Sequence, residues 1–123
     1  MAEIKPRISV EYVKNATIVT FTDEKILEEN DIKSLQESIM SVIESAPDGI
    51  KLILDFSNVR FLSSAVLGLL IRISKRIYEN EGKLMLCNIN PKIYEVFKIT
   101  RLTKVFDIYK DIESATENLS EAH

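Results

Sequence analysis

Two short apolar runs on either side of a helix-forming segment set the strongest limit on how this chain can fold. The runs are KLILDF at 51–56 and KLMLCNI at 83–89, and each has consecutive apolar residues between turn signals. That pattern is typical of a strand covered on both faces. Between the runs, apolar residues repeat every three or four positions from about 63 to 79, which predicts a helix. The three segments predict a βαβ unit, with parallel strands and a right-handed crossover.

The segment before this unit has a period of two. Residues 8–13, ISVEYV, alternate apolar and polar side chains, and the ATIVTF run at 16–21 is rich in β-branched and aromatic residues. Lys14 and Asn15 between the two runs allow a tight turn. The runs therefore predict an N-terminal antiparallel hairpin beside the parallel strands. The fold class is α/β with a mixed sheet.

The rest of the chain adds three helices and one strand to the prediction. Helices are expected where capping or turn residues stand at the ends of a 3.6-residue apolar period. These elements are a helix from Asn30 or Asp31 to the PDG turn at 47–49, a helix PKIYEVFKI that opens at Pro91, a strand near 105–109 and a C-terminal helix from about Asp111. The sheet is thus predicted to have about four to five strands and to pack against about four helices.

The length of 123 residues suits one domain, since chains divide into domains only well beyond this size. We expect the domain to span 8–119, with tails at 1–7 and 120–123. The longest apolar run elsewhere, AVLGLLI at 65–71, is far too short to span a bilayer, and the N-terminus has no signal-peptide pattern. A cytoplasmic location is expected. The net charge of −3 argues against direct binding of nucleic acid or of an anionic membrane.

Few side chains suitable for catalysis are available. Cys87 is the one cysteine, and His123, the one histidine, is the last residue. Serine triads, Cys–His nucleophiles and zinc fingers each need partners that are missing from this sequence. An enzyme that uses carboxylates or lysines remains an alternative, although no nucleophile and base can be assembled from the motifs. The sequence therefore favours a protein without enzymatic activity.

Two adjacent serines at the start of the second helix are the candidate functional residues. The first N–H groups of a helix lack partners within the helix and carry about half a positive charge, so an anion there is stabilised. Ser63 is predicted to be the N-cap, with its hydroxyl accepting from an N–H two or three residues later. Ser64 then takes the first helical position, faces outward and could carry a phosphate. Capping alone is the alternative explanation for both serines.

Other patterns do not indicate a ligand site. The carboxylates at 23–31 lack calcium-loop spacing, and three glycines cannot form a glycine-rich phosphate loop. Arg72, Lys75 and Arg76 are explained as the solvated face of the second helix, and Met85 and Cys87 as core. No metal or cofactor is expected.

The segment DFSNVRFLSSAVLGLL at 55–70 resembles the STAS domain family, and within it the bacterial anti-sigma factor antagonists. In that family a strand ending in Asp-hydrophobic-Ser precedes a hydrophobic pair, a serine and a hydrophobic helix. The segment GKLMLCNINPKIYEVFKITRLTKVFDIY at 82–109 is similar to the family's closing strand, short helix and final strand. The resemblance covers roughly residues 8–119.

The resemblance implies a phosphorylation-controlled protein-binding switch. The family's serine is phosphorylated by an anti-sigma factor that is also a kinase, and it corresponds to Ser64. The unmodified antagonist binds the anti-sigma factor and releases the sigma factor, whereas the phosphorylated form cannot bind. A serine phosphatase restores the unmodified form. The implied protein is a monomer or weak dimer. The implied partner-binding residues are Glu28, Asn30, Asn58, Arg60, Ser63 and Ser64.

The sequence departs from the family pattern around the serine. The family commonly has Asp before the phosphorylated serine, then Ser or Thr and Gly after it, where this chain has Ser63, Ala65 and Val66. Ser63 is therefore the second candidate for modification. The acidic residue of the loop before the first helix is Glu28. A scaffold module of the same fold, in which the serines only cap the helix, is the alternative function.

Overall fold

The computed structural model describes residues 8–46 and 48–121, so the predicted tail at 1–7, Pro47 and residues 122–123 lie outside the described residues. A five-stranded sheet and four α-helices form the domain, and a pair of two-residue strands forms a second small sheet. In chain order the elements are β1 Ile8–Val13, β2 Ala16–Phe21, β3 Lys25–Ile26, α1 Glu29–Ser45, β4 Lys51–Asp55, β5 Phe61–Leu62, α2 Ser64–Glu79, β6 Lys83–Cys87, α3 Pro91–Ile99, a 3₁₀ turn Leu102–Lys104, β7 Asp107–Tyr109 and α4 Ile112–Glu121.

The sheet confirms the predicted hairpin and βαβ unit. Its strand order is β1-β2-β4-β6-β7. β1 and β2 are antiparallel, and their register brings Val13 beside Ala16 across the turn. β2, β4, β6 and β7 are parallel neighbours. The α/β fold class with a mixed sheet and four helices is therefore confirmed.

Both faces of the central strands are covered, as their unbroken apolar runs predicted. Because successive side chains on a strand point to opposite faces, Leu52 and Leu54 enter the large core with α1, α2 and α3, while Ile53 enters a smaller core. Ala115 of α4 belongs to that smaller core, together with Met85 and Cys87. The explanation of Met85 and Cys87 as core residues is confirmed by their burial.

Several boundaries differ from the sequence expectation. α1 begins at Glu29 with Glu28 at the N-cap position, so Asn30 and Asp31 lie in the first turn and neither caps the helix. The last strand begins at Asp107 and not near 105, because Val105 N and Phe106 N both donate to Leu102 O at 3.0 Å and so extend the 3₁₀ turn at Leu102–Lys104. At α4 the expected start is confirmed, since Asp111 Oδ1 accepts from Ser114 N at 2.8 Å. This hydrogen bond is also the main reason why the pKa of Asp111 is lowered.

Candidate functional site

The candidate serines lie at the edge of the sheet where β2, β4 and β6 all end. Loops that follow parallel strands meet at this edge, which is where α/β domains commonly bind ligands. The loop after β2 contains β3, and the loop after β4 contains β5. These two short strands pair in parallel, with Lys25 beside Phe61 and Ile26 beside Leu62. The pairing joins the loop before α1 to the loop that carries the serines.

A buried carboxylate fixes the start of the serine loop. Asp55, at the end of β4, is only 4% exposed. Its Oδ1 accepts from Ser57 N at 3.1 Å and from Asn88 Nδ2 at 2.8 Å. Its Oδ2 accepts from Ser57 Oγ at 3.1 Å and from Thr20 Oγ1 at 3.2 Å. A buried carboxylate with this many donors is well satisfied and holds three strand ends in one arrangement.

Backbone hydrogen bonds then hold the loop along its whole length. Arg60 N and Phe61 N both donate to Glu24 O, at 2.8 and 3.1 Å, and Ser63 N donates to Ile26 O at 3.0 Å. On the other side, Asn90 Nδ2 donates to Val59 O at 3.1 Å. The loop is tied to the neighbouring loops on both sides, so the position of the serines is fixed before any partner binds.

Ser63 takes the N-cap position of α2 and Ser64 the first helical position, as predicted. Ser64 is exposed to solvent. The predicted side-chain cap is wrong, since the Ser63 hydroxyl accepts no N–H of the helix. Val66 N donates instead to the backbone oxygen of Ser63 at 3.0 Å, which closes the first turn without the side chain. The Ser63 Oγ is buried and finds no hydrogen-bond partner among the described residues.

A groove of about 820 Å³ lies between α1 and α2 beside the serines. It brings together three of the predicted residues, Asn30, Ser63 and Ser64. Arg72, from the second turn beyond Ser64, spans the groove by donating Nε and Nη2 to Gln36 Oε1 at 3.2 and 2.9 Å. The full lining is Leu27, Glu29, Asn30, Ile32, Lys33, Gln36, Ser63, Ser64, Ala65, Gly68 and Arg72.

A second groove of about 400 Å³ shares Leu27 with the first and contains Arg60. Arg60 is exposed and its Nε lies 3.9 Å from Glu24 Oε1. The other lining residues are Lys25, Phe61, Leu62, Lys92, Ile93 and Val96. The two grooves together form one surface on either side of the serine loop.

Two of the predicted residues lie apart from the lining of these grooves. Glu28 is exposed at the N-cap position of α1, between Leu27 and Glu29, which both line the first groove. Asn58 is exposed, but its Nδ2 donates to Phe21 O at 3.0 Å, so its side-chain amide ties the serine loop to β2. Its role in the structure is therefore to position the loop.

Apolar and polar residues that the sequence pattern did not single out complete the surface. Leu27 and Phe61 are each 49% exposed, and Lys25 Nζ lies 5.8 Å from the centre of the Phe61 ring. Two-residue strands carry no periodic signal, so the pairing that places Phe61 beside Lys25 was not visible in the sequence. Arg72 was assigned to the solvated face of the second helix, and its hydrogen bond to Gln36 depends on how α1 and α2 pack.

Within residues 8–46 and 48–121, no helix is long and apolar enough to cross a membrane. In the same part of the chain, no three His, Cys, Asp or Glu side chains are grouped as metal ligands.

Similar proteins share this fold and part of this sequence. An anti-sigma factor antagonist (STAS) domain protein from Planctomyces limnophilus superimposes with a TM-score of 0.83 at 24% identity, over 92% of this chain and 97% of that one. The anti-sigma F factor antagonist of Paenibacillus polymyxa is 27% identical over 67 residues. BtrV of Bordetella bronchiseptica is 29% identical over 65 residues.

The matched part spans 57% of the Paenibacillus relative and 56% of BtrV, so the chain matches a little over half the length of each. The model of the STAS domain family, in contrast, matches residues 7–115, which is most of the sequence and includes every element from β1 to the start of α4. This chain therefore belongs to the STAS domain family.

Proposed function

We propose that this protein is a non-enzymatic anti-sigma factor antagonist whose binding surface is switched by phosphorylation of Ser64. In the unmodified form it binds an anti-sigma factor that is also a serine kinase, and the sigma factor is released. Phosphorylation by that kinase ends the binding, and a serine phosphatase reverses it. The protein works in the cytoplasm without a cofactor.

The exposure of Ser64 at the first position of α2, on a loop held from both sides, is the observation that carries this proposal. A kinase needs an accessible hydroxyl, and Ser64 meets this requirement. The buried Oγ of Ser63 does not, which favours Ser64 over Ser63 as the acceptor. The name of the Paenibacillus relative, an anti-sigma F factor antagonist, supports the same function.

The surface around Ser64 has the composition of a protein-binding site. Half-exposed Leu27 and Phe61 supply apolar area, and Arg60, Asn30 and Glu28 supply a polar rim. Interfaces commonly combine an apolar centre with such a rim. The proposed binding residues are Glu28, Asn30, Arg60, Ser63 and Ser64, with Leu27 and Phe61 added from the structure and Asn58 positioning the loop.

A phosphate on Ser64 is expected to change this surface without refolding the domain. It adds about −1.5 to −2 charge at a site where the helix end favours an anion. The first turn of α2 has no acidic residue that would repel it. A partner would have to desolvate the new charge in order to bind, and this cost weakens the complex.

The alternative of a scaffold module explains both serines as helix caps. The Ser63 hydroxyl makes no capping hydrogen bond, and Ser64 is exposed at a position beyond the cap. Capping therefore accounts for neither side chain, and these observations favour the switch.

The first test is phosphorylation by the cognate anti-sigma kinase. The purified protein is mixed with the kinase and ATP, and the modified residue is mapped by mass spectrometry. We expect one phosphate on Ser64, no phosphate on the Ser64→Ala variant, and a phosphate still on Ser64 in the Ser63→Ala variant. Absence of modification at both serines would contradict the switch and favour the scaffold.

The second test is binding. Ser64→Asp should weaken binding to the kinase by at least about tenfold, because a charge is placed in the interface. Circular dichroism and the urea midpoint should match those of the wild type. Unchanged affinity with an intact fold would remove Ser64 from the interface.

A further inference from the structure

The arginine that spans the groove lies close to the proposed modification site. Arg72 uses Nε and Nη2 to bind Gln36 Oε1 of α1, at 3.2 and 2.9 Å. Its Nη1 lies 3.6 Å from the point where a Cβ on Gly68 would stand. The guanidinium is therefore folded back along α2 toward the start of the helix, in the direction in which helical side chains tilt.

Ser64, Gly68 and Arg72 form one ridge on the helix, since they are four residues apart. Side chains at this spacing are neighbours, with Cβ atoms about 5–6 Å apart. All three residues line the groove between α1 and α2. The guanidinium of Arg72 lies beside Gly68, which is one turn from Ser64. Because Gly68 has no side chain, no side chain on this ridge separates the guanidinium from Ser64.

The groove also has a positive balance in a chain of net charge −3. Lys33 and Arg72 are cationic, and Glu29 is the one acidic residue among those that line it. Ser63 also lines the groove, and its Oγ is buried and without a hydrogen-bond partner among the described residues. This hydroxyl could donate to an anion placed beside it.

We propose that the phosphate on Ser64 is bound within the same molecule by the Arg72 guanidinium, with Lys33 as a second cation and the Ser63 hydroxyl as a donor. This inference rests on the proposed phosphorylation of Ser64. Arginine is suited to the role, because its planar fork gives directed, charge-assisted hydrogen bonds to phosphate oxygens. The hydrogen bond to Gln36 holds the guanidinium in place in advance.

As a consequence, phosphorylation of Ser64 would block the groove. A phosphate bound to Arg72 would lie across the entrance between α1 and α2, and a partner that uses the groove would meet an occupied site. Phosphorylation would then block binding in two ways, through the added charge and through the loss of the groove.

The experiment uses the full chain with phosphoserine inserted at position 64 during translation, so no kinase is needed. The second pKa of the phosphate, ordinarily about 6, is measured by ³¹P NMR titration. A nearby cation favours the dianion and lowers this pKa. We expect Arg72→Gln to raise it by about half a unit or more, and Lys33→Gln by less.

Lys75→Gln is the matched control, because Lys75 is an exposed cation on the same helix and is not among the residues that line the groove. It should leave the phosphate pKa within about 0.1 unit of the parent, since exposed distant charges are screened. Arg72→Lys should restore only part of the effect, because lysine keeps the charge and loses the planar fork. Equal shifts for Arg72→Gln and Lys75→Gln would overturn the proposal.

The outcomes of the two sets of experiments are separable. If the kinase modifies Ser64 and Arg72→Gln leaves the phosphate pKa unchanged, the intramolecular phosphate site is wrong and the switch remains. If the phosphoserine chain shows the Arg72 effect while no kinase modifies Ser64, the phosphate site exists and the proposed function fails.

Discussion

At the scale of single residues, the environment of Cys87 is unusual for a cysteine. Its side chain is fully buried at the end of β6, and its Sγ lies 4.0 Å from Asp55 Oδ1. Burial raises the pKa of the thiol to about 12, and the carboxylates of Asp55 and Asp111 add to the rise. The thiol is therefore neutral at physiological pH, which suits a packing role beside the carboxylate that holds the serine loop.

This raised pKa gives a prediction for stability at alkaline pH. The unfolded chain loses the thiol proton near pH 9 and the folded protein only near pH 12, so stability is lost as pH rises through that range. Between pH 8 and pH 10 the wild type should lose about 1 kcal/mol more stability than Cys87→Ala.

Urea denaturation at each pH measures the difference. The pKa values of Tyr78 and Tyr109 are also raised, mainly by burial. Both proteins contain these tyrosines, so subtracting one curve from the other isolates the thiol. Parallel stability curves for wild type and Cys87→Ala would contradict the assigned environment.

At the scale of elements, the sequence predicted the pieces that have a regular pattern. The apolar runs of β4 and β6 and the helical period of α2 each reflect burial of a regular face. In ISVEYV the alternation is followed only in part, since Ile8 and Val10 are partly buried but Tyr12 is 74% exposed. β3 and β5 are two residues long and are defined by pairing with each other, which no local pattern records.

The candidate site follows the same rule. The position of Ser63 and Ser64 at the start of α2 could be predicted, because the local sequence of strand, loop and helix determines it. The missing cap and the Arg72 to Gln36 hydrogen bond were not, because both depend on how α1 and β3 approach α2. These two features are therefore determined by contacts between elements and not by local sequence propensity.

Gly68, within α2, and Gly82, between α2 and β6, allow a sharp test of the packing around this helix. A Cβ on Gly82, between α2 and β6, would collide with Ile50 O and approach Ile77 Cγ2 to 2.9 Å. Ile50 O also accepts from Lys83 N at 2.8 Å, so this backbone cannot move away freely. Gly82→Ala should therefore lower stability by about 2–3 kcal/mol.

Gly68→Ala is the matched control within α2. A Cβ there would meet only Arg72 Nη1, at an ordinary 3.6 Å, and alanine is the better helix former. The variant should be more stable by about 0.5–1 kcal/mol. Urea denaturation of both variants at pH 7 makes the comparison, and similar changes of the same sign would mean that the close approach at Gly82 is absent.

For the molecule as a whole, the sheet divides the interior into two unequal parts. The larger core lies under α1, α2 and α3, which carry or flank the candidate site. The smaller core lies under α4 and contains Ile53, Met85 and Ala115. The serine surface is thus built on one face of the sheet, and α4 protects the apolar side chains of the other face from water.

Because α4 covers the second face of the sheet, we expect it to prevent self-association of the protein through that face. Ala115 is fully buried against the sheet, and Ala115→Asp would place a carboxylate among the apolar side chains of that small core. We expect a loss of stability of about 3 kcal/mol, because a buried unpaired charge is among the most damaging changes. Release of α4 would expose Ile53 and Met85, so self-association should increase.

Urea denaturation and sedimentation velocity measure the two effects. Glu117→Ala, on the exposed side of the same helix, should change stability by no more than about 0.5 kcal/mol and leave the protein's sedimentation unaltered. If Ala115→Asp behaves like Glu117→Ala, the smaller core contributes little and α4 is dispensable.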